Sequence, residues 1–121
     1  MAKKKKKILI VEDDEDFLSI LKMKFKKEGF LVVTATDGIM GLTEAESEKP
    51  DIIVSDMLLP KMEGLEMAKK IREFNPKLPI LFLTNLKETE EIKKANDFEY
   101  LIKADLTIND IITKVKEKLG E

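Results

Sequence analysis

"DIIVSDMLLPKMEG", residues 51 to 64, is the stretch from which the fold can be read. Ile52, Ile53 and Val54 run together without polar alternation, the pattern of a strand covered on both faces and therefore of a parallel sheet packed between helices. The run delivers a lone carboxylate, Asp56, into a loop that carries Pro60 and Gly64 and no obvious second catalytic group. Such a carboxylate is either an ordinary cap for the next element or a reactive group whose partners lie elsewhere in the chain.

Four more apolar runs surround it: Lys7 to Val11 (KILIV), Phe30 to Ala35 (FLVVTA), Pro79 to Leu83 (PILFL) and Phe98 to Ile102 (FEYLI). Segments of helical period alternate with these runs. Phe17, Ile20, Leu21 and Phe25 mark the first, stopped by Gly29. Ile39, Leu42 and Ala45 mark the second, ended by Pro50, and Leu65, Ala68 and Ile71 the third, closed by Asn75-Pro76. Ile108, Ile111, Ile112, Val115 and Leu119 form the clearest stripe. The segment from 87 to 95 has almost no apolar anchors beyond Ile92 and Ala95 and is expected to be the least firmly held. Strict strand and helix alternation predicts an α/β fold with a parallel sheet and right-handed crossovers.

A chain of 121 residues with 43% apolar and 38% charged residues builds one domain with a wet surface. The expected organisation is a basic lead-in over residues 1–6 and a single domain over 7–121. Lys and Arg (22) nearly balance Asp and Glu (24), so the net charge of −2 exerts no general pull on nucleic acid or anionic membrane. The Lys3 to Lys7 run reads as a solvated approach to the first strand, because no second basic block extends it. Without a long apolar stretch or a signal-peptide core, the expected location is the cytoplasm. The sequence has no Cys and no His, which excludes disulfides, thiol catalysis, zinc-thiolate sites and any imidazole acting as base, ligand or phosphate carrier. Carboxylates, hydroxyls, Lys, Arg and backbone remain.

In open parallel sheets, ligands bind beyond the carboxyl ends of the strands. There the sequence sets Glu12-Asp13-Asp14-Glu15-Asp16, Asp56, Thr84 and Lys103. Singly, each has a structural explanation: Asp14 and Thr84 suit helix caps and Lys103 suits a surface strand end. Together, Glu12, Asp13 and Asp56 gather three carboxylates, which repel one another unless a cation neutralises them. Mg²⁺ suits such oxygen donors and tolerates a shared phosphate, with Mn²⁺ able to replace it. A lysine and a threonine hydroxyl at the same rim would cradle phosphoryl oxygens, making Asp56 a nucleophile.

The stretches "KILIVEDDEDFL", "PDIIVSDMLLPKMEGLEM", "PILFLT" and "EYLIKAD" resemble the receiver (response regulator) domains of two-component signalling over nearly the whole chain. The resemblance implies a doubly wound, flavodoxin-like, five-stranded parallel sheet in order 2-1-3-4-5. It implies that Glu12 and Asp13 bind Mg²⁺, that the Leu58 backbone carbonyl is a further ligand, and that Asp56 is the phosphoacceptor. Lys103 and Thr84 then meet the phosphoryl group, Thr84 being the switch hydroxyl and Tyr100 the aromatic that follows it. The implied partners are a sensor histidine kinase or phosphotransfer protein, with output through the face of the 87–95 segment, the fifth strand and the C-terminal helix. With no module following Leu119, that output is expected to be a protein contact, without nucleic acid or membrane.

Departures sharpen these expectations. Ala104 stands where the family has Pro joined by a cis peptide; a cis bond before a non-proline costs about 2.5–4 kcal/mol, so a trans bond is expected, with the lysine head at risk of displacement. Asn85 replaces a small residue and narrows phosphodonor access. Leu58 and Leu86 occupy the two positions that tune hydrolysis and, being apolar, cannot orient water, which predicts slow autodephosphorylation. The protein is thus expected to be a phosphoacceptor that takes part in its own Mg²⁺-dependent phosphorylation, not an enzyme acting on a separate substrate. A pseudo-receiver that binds partners without being phosphorylated is the alternative. A dehalogenase-like phosphatase would need an acid where Leu58 stands, a flavodoxin site would need a phosphate loop in place of "EDDED", and an EF-hand would need a glycine and a distal Glu that are missing.

Overall fold

The computed structural model describes residues 4–85 and 98–121. Strands β1 (Lys7–Val11), β2 (Leu31–Ala35), β3 (Ile52–Asp56), β4 (Ile80–Thr84) and β5 (Glu99–Ile102) form one parallel sheet in the order β2-β1-β3-β4-β5. The helices are α1 (Glu15–Lys27), α2 (Gly38–Glu48), α3 (Gly64–Phe74) and α4 (Ile108–Lys118), and a short 3-10 turn spans Lys103–Asp105. The expected doubly wound α/β arrangement is the observed one. The helical segment expected over 87–95, and Leu86, lie outside the described residues.

Strand side chains alternate between two half-cores. Ile8, Ile10, Ile52, Val54, Leu81 and Leu83 pack with Leu21 and Phe25 of α1 and with Ile111, Ile112 and Val115 of α4. Leu9, Val11, Ile53, Ile80 and Phe82 pack on the other face with Ala45 of α2 and with Met67, Ala68 and Ile71 of α3. Burying each such side chain contributes about 1.5–3 kcal/mol, and this two-faced cover is why the three central strands are almost purely apolar.

Two local readings are corrected. Ile20 and Ile39, placed in the apolar stripes, are 41% and 49% exposed. In α2 the buried residues are Gly38, Gly41 and Ala45, because α2 approaches so closely that a Cβ on Gly41 would press on the Met67 sulfur and on Val11. Second, Asp56 and Thr84 are the last residues of their strands and not the first residues after them. Backbone pairing continues past the apolar run, with Asp56 opposite Leu83 and Thr84 opposite Ile102, since ladder hydrogen bonds are indifferent to side-chain polarity.

Caps fix where the helices begin. The Asp14 carboxylate accepts from the N–H groups of Asp16 (3.1 Å) and Phe17 (3.2 Å), and α1 ends before Gly29, which has a φ of 94°. At α4, the Thr107 hydroxyl accepts from the Asp110 N–H (3.2 Å) and the Asp110 carboxylate from the Thr107 N–H (2.8 Å), a reciprocal capping box. Lys4 and Lys5, the exposed residues that open the described chain, lie with Lys6 beside Glu28 and Phe30.

Candidate functional site

The strand order brings the acidic residues to one rim. β1 and β3 are adjacent, with Val11 opposite Ser55, so Glu12 and Asp56 each stand one residue further along their neighbouring strands. Carboxylate oxygens of Glu12, Asp13 and Asp56 lie within 4.8 Å of one another. Lys103 follows β5 directly and its Nζ donates to Glu12 Oε1 (2.7 Å) and to Asp56 Oδ2 (3.0 Å). A single ammonium therefore bridges two of the three acids.

Burial differs along this row. Glu12 is 2% exposed, Asp56 is half-buried and Asp13 is exposed, which leaves one side of the cluster open to water. Burial pushes the Glu12 carboxyl above the ordinary glutamate range, against the opposing pull of Lys103 and of the Asp14 N–H, which donates to Glu12 Oε2 (3.1 Å). The Asp56 charge adds to the upward push. Burial, the largest single influence on Lys103, would lower its pKa, but hydrogen bonds and charge from Glu12 and Asp56 together outweigh it and hold the ammonium above the ordinary lysine range.

The donor chemistry fits a hard divalent cation: three carboxylates, no nitrogen or sulfur ligand, and an open side for water. Leu58, the expected carbonyl donor, is 55% exposed and its N–H donates to Asp56 Oδ1 (3.3 Å). Thr84 is buried at the end of β4 and engaged with neighbours, while Tyr100 on β5 is exposed. Asn85 borders a cavity of about 250 Å³ beside Lys103, between Phe17 and the side chains of Leu106, Ile108 and Ile111.

No cis peptide bond occurs among the described residues, so Lys103-Ala104 is trans as expected. The feared displacement of the lysine head does not follow. Lys103 Nζ reaches both Glu12 and Asp56, and the chain runs on through a 3-10 turn at Lys103–Asp105, closed by the Leu106 N–H donating to the Lys103 carbonyl (3.3 Å).

The sequence profile of the response regulator receiver domain matches residues 8–116. The chain belongs to that family. This receiver domain is 38% identical over 109 residues to the alkaline phosphatase synthesis transcriptional regulatory protein PhoP of Bacillus subtilis, covering 90% of this chain and 42% of that protein. It is 34% identical over 84 residues to the transcriptional regulatory protein GlrR of Escherichia coli, covering 69% of this chain and 19% of that protein. The chain thus spans less than half the length of these relatives. Among solved structures, a CheY-like receiver domain protein from Methanospirillum hungatei superimposes with a TM-score of 0.88 at 31% identity, covering 97% of this chain and 95% of the other. A two-component response regulator from Clostridium difficile gives 0.88 at 29% identity, covering 97% and 98%.

Two features of the receiver site escaped sequence reading. The Phe17 ring, assigned only to a core stripe, sits with its centroid 4.9 Å from Lys103 Nζ and forms an aromatic seat for the ammonium. Gly64 packs so tightly behind Asp56 that a Cβ would overlap the Asp56 carbonyl oxygen, so only glycine lets α3 start there. No local pattern marks either contact: Phe17 and Lys103 come together only through the fold, and the approach of Gly64 to Asp56 depends on how α3 docks at the end of β3. Among the described residues no helix is long and apolar enough to cross a membrane.

Proposed function

We propose that Asp56 accepts a phosphoryl group from a phosphohistidine on a sensor kinase or phosphotransfer protein, and that this chain relays the signal by a conformational switch. The bridge from Lys103 to Glu12 and Asp56 carries the reading, since a surface lysine has no reason to be held between two acids at one rim. In the transfer, the P–N bond of the donor breaks, a P–O bond to an Asp56 carboxylate oxygen forms, and the leaving imidazole takes up a proton. Lys103 offers its ammonium and Thr84 its hydroxyl to the phosphoryl oxygens, and the Phe17 ring restricts where the ammonium can swing. Glu12, Asp13, Asp56 and the Leu58 carbonyl would hold Mg²⁺, which when bound supplies further neutralisation of phosphoryl charge.

On this reading the chain promotes its own phosphorylation and slow dephosphorylation and acts on no other substrate. Movement of Thr84 toward the phosphoryl group lets Tyr100 leave its exposed position, altering the face of β5 and α4 for a downstream protein. Output as a stand-alone receiver, through protein contact alone, is part of the same proposal.

The test is exposure to acetyl phosphate, or to beryllofluoride, with Mg²⁺. Gain of one phosphoryl group by mass, lost in Asp56→Asn, and shifted amide resonances at Asp56, Thr84 and Tyr100 are expected. No gain and no shift would sink the phosphoacceptor reading and favour a partner-binding scaffold.

A further inference from the structure

The loop from 57 to 63 links β3 to α3 and carries Leu58. One end is tied to its own neighbours, through the Leu58 N–H to Asp56 Oδ1 (3.3 Å) and the Gly64 N–H to the Met57 carbonyl (2.9 Å). Its middle is held by a distant part of the chain, the Asp37-Gly38 corner that opens α2. The Gly38 N–H donates to the Pro60 carbonyl (3.2 Å), and a Cβ on Gly38 would overlap the Met62 carbonyl oxygen. Lys61 has a φ of 67°, a left-handed conformation unfavourable for a residue with a Cβ, and its Nζ lies 3.6 Å from Asp37 Oδ2. The other Asp37 oxygen caps α2 by accepting from the Met40 N–H (2.7 Å).

A turn alone would be better served by Gly or Asn at position 61, which adopt this conformation readily. Lysine adds a charge that reaches a buried carboxylate of another element. We propose that Asp37, Gly38 and Lys61 are positioning residues for the cation site, clamping the loop so that the Leu58 carbonyl is held ready for a divalent ion. The proposal rests on the cation-binding reading of Glu12, Asp13 and Asp56. Holding a donor in place before binding lowers the ordering cost of the ion's arrival. The Lys61 side chain is 65% exposed, so its pair with Asp37 is a weak one and the effect on affinity is modest.

Mg²⁺ titrations of the full chain, followed by calorimetry and by the amide resonances of Leu58 and Gly64, test the clamp. Asp37→Asn and Lys61→Met are each expected to weaken Mg²⁺ binding about two- to fivefold, given the strength of exposed ion pairs. The double variant should be no weaker than the worse single one, and Lys61→Arg should restore affinity. Gly38→Ala, which forces the loop outward, should weaken binding more than either. Plain electrostatics without a clamp makes the opposite forecast for Lys61→Met, tighter binding through loss of a positive charge. Tighter binding there, additive losses in the double variant, or affinities unchanged across the series would overturn the clamp alone. Absence of Mg²⁺ binding by the unaltered protein would overturn the cation site, and the clamp with it.

Discussion

Glu12 is nearly inaccessible, yet it is placed to act as an anion beside Asp56. Its raised pKa means that folding favours the protonated form. The stabilising contribution is therefore present at low pH and lost as pH rises through the raised value. Glu12→Gln mimics the protonated carboxyl, with one oxygen left to accept from Lys103 or from the Asp14 N–H and no buried charge. In the absence of divalent ions the variant should melt at the same temperature as the unaltered protein in acid and higher at neutral pH, by differential scanning calorimetry. Its Mg²⁺ affinity should fall by at least the about 10- to 100-fold typical of disturbing a ligand's supporting shell. On the proposed reading, stability and function pull in opposite directions at this residue, because the divalent ion would have to offset a charge that folding alone does not favour.

At the scale of elements, caps and helix starts carry separable energies. The hydrogen bonds of the Thr107 box at α4 run between Thr107 and Asp110 and not to Glu12, Asp13 or Asp56, so Thr107→Ala should cost about 1 kcal/mol and lower the melting temperature by about 3–5 °C without altering Mg²⁺ binding. Asp37 at the start of α2 is held below the ordinary aspartate range, chiefly by the Met40 N–H and further by Lys61. A depressed carboxyl stabilises the fold above its unfolded value and ceases to do so as pH falls through its folded value. Asp37→Asn, which mimics the protonated state, should therefore match the unaltered protein in strong acid and trail it near neutrality in urea unfolding. An equal gap at both ends of that range would show that charge is not what Asp37 contributes.

For the whole molecule, the sheet separates its two ends: acids and Lys103 at the carboxyl rim, the basic lead-in beside the far ends of the helices. The rim is flanked by the apolar, solvent-facing Leu58, which has no group with which to hold an attacking water. Phosphorylated protein should lose its phosphate over minutes or longer when followed by mass spectrometry, and Leu58→Glu or Leu58→Asn should hasten the loss. Decay of the unaltered protein within seconds would contradict the proposed slow turnover.

Much of this was legible along the chain. Continuous apolar runs announced buried parallel strands, and helical spacing located α1, α3 and α4, since both patterns follow from local backbone geometry and a two-sided core. The polar residues at the strand ends, with no His or Cys to compete, restricted the chemistry to carboxylate, ammonium and hydroxyl. Tertiary structure decided the rest. Lys103 lies 91 residues from Glu12 and 47 from Asp56, and only the placing of β1, β3 and β5 around one rim lets a single ammonium bridge them. The exposure of Ile20 and Ile39, the Phe17 seat and the hold of Asp37-Gly38 on the Leu58 loop likewise depend on how helices rotate and dock. Periodicity says that a face is apolar, but the angle at which it meets the sheet is set by the volumes it encounters there.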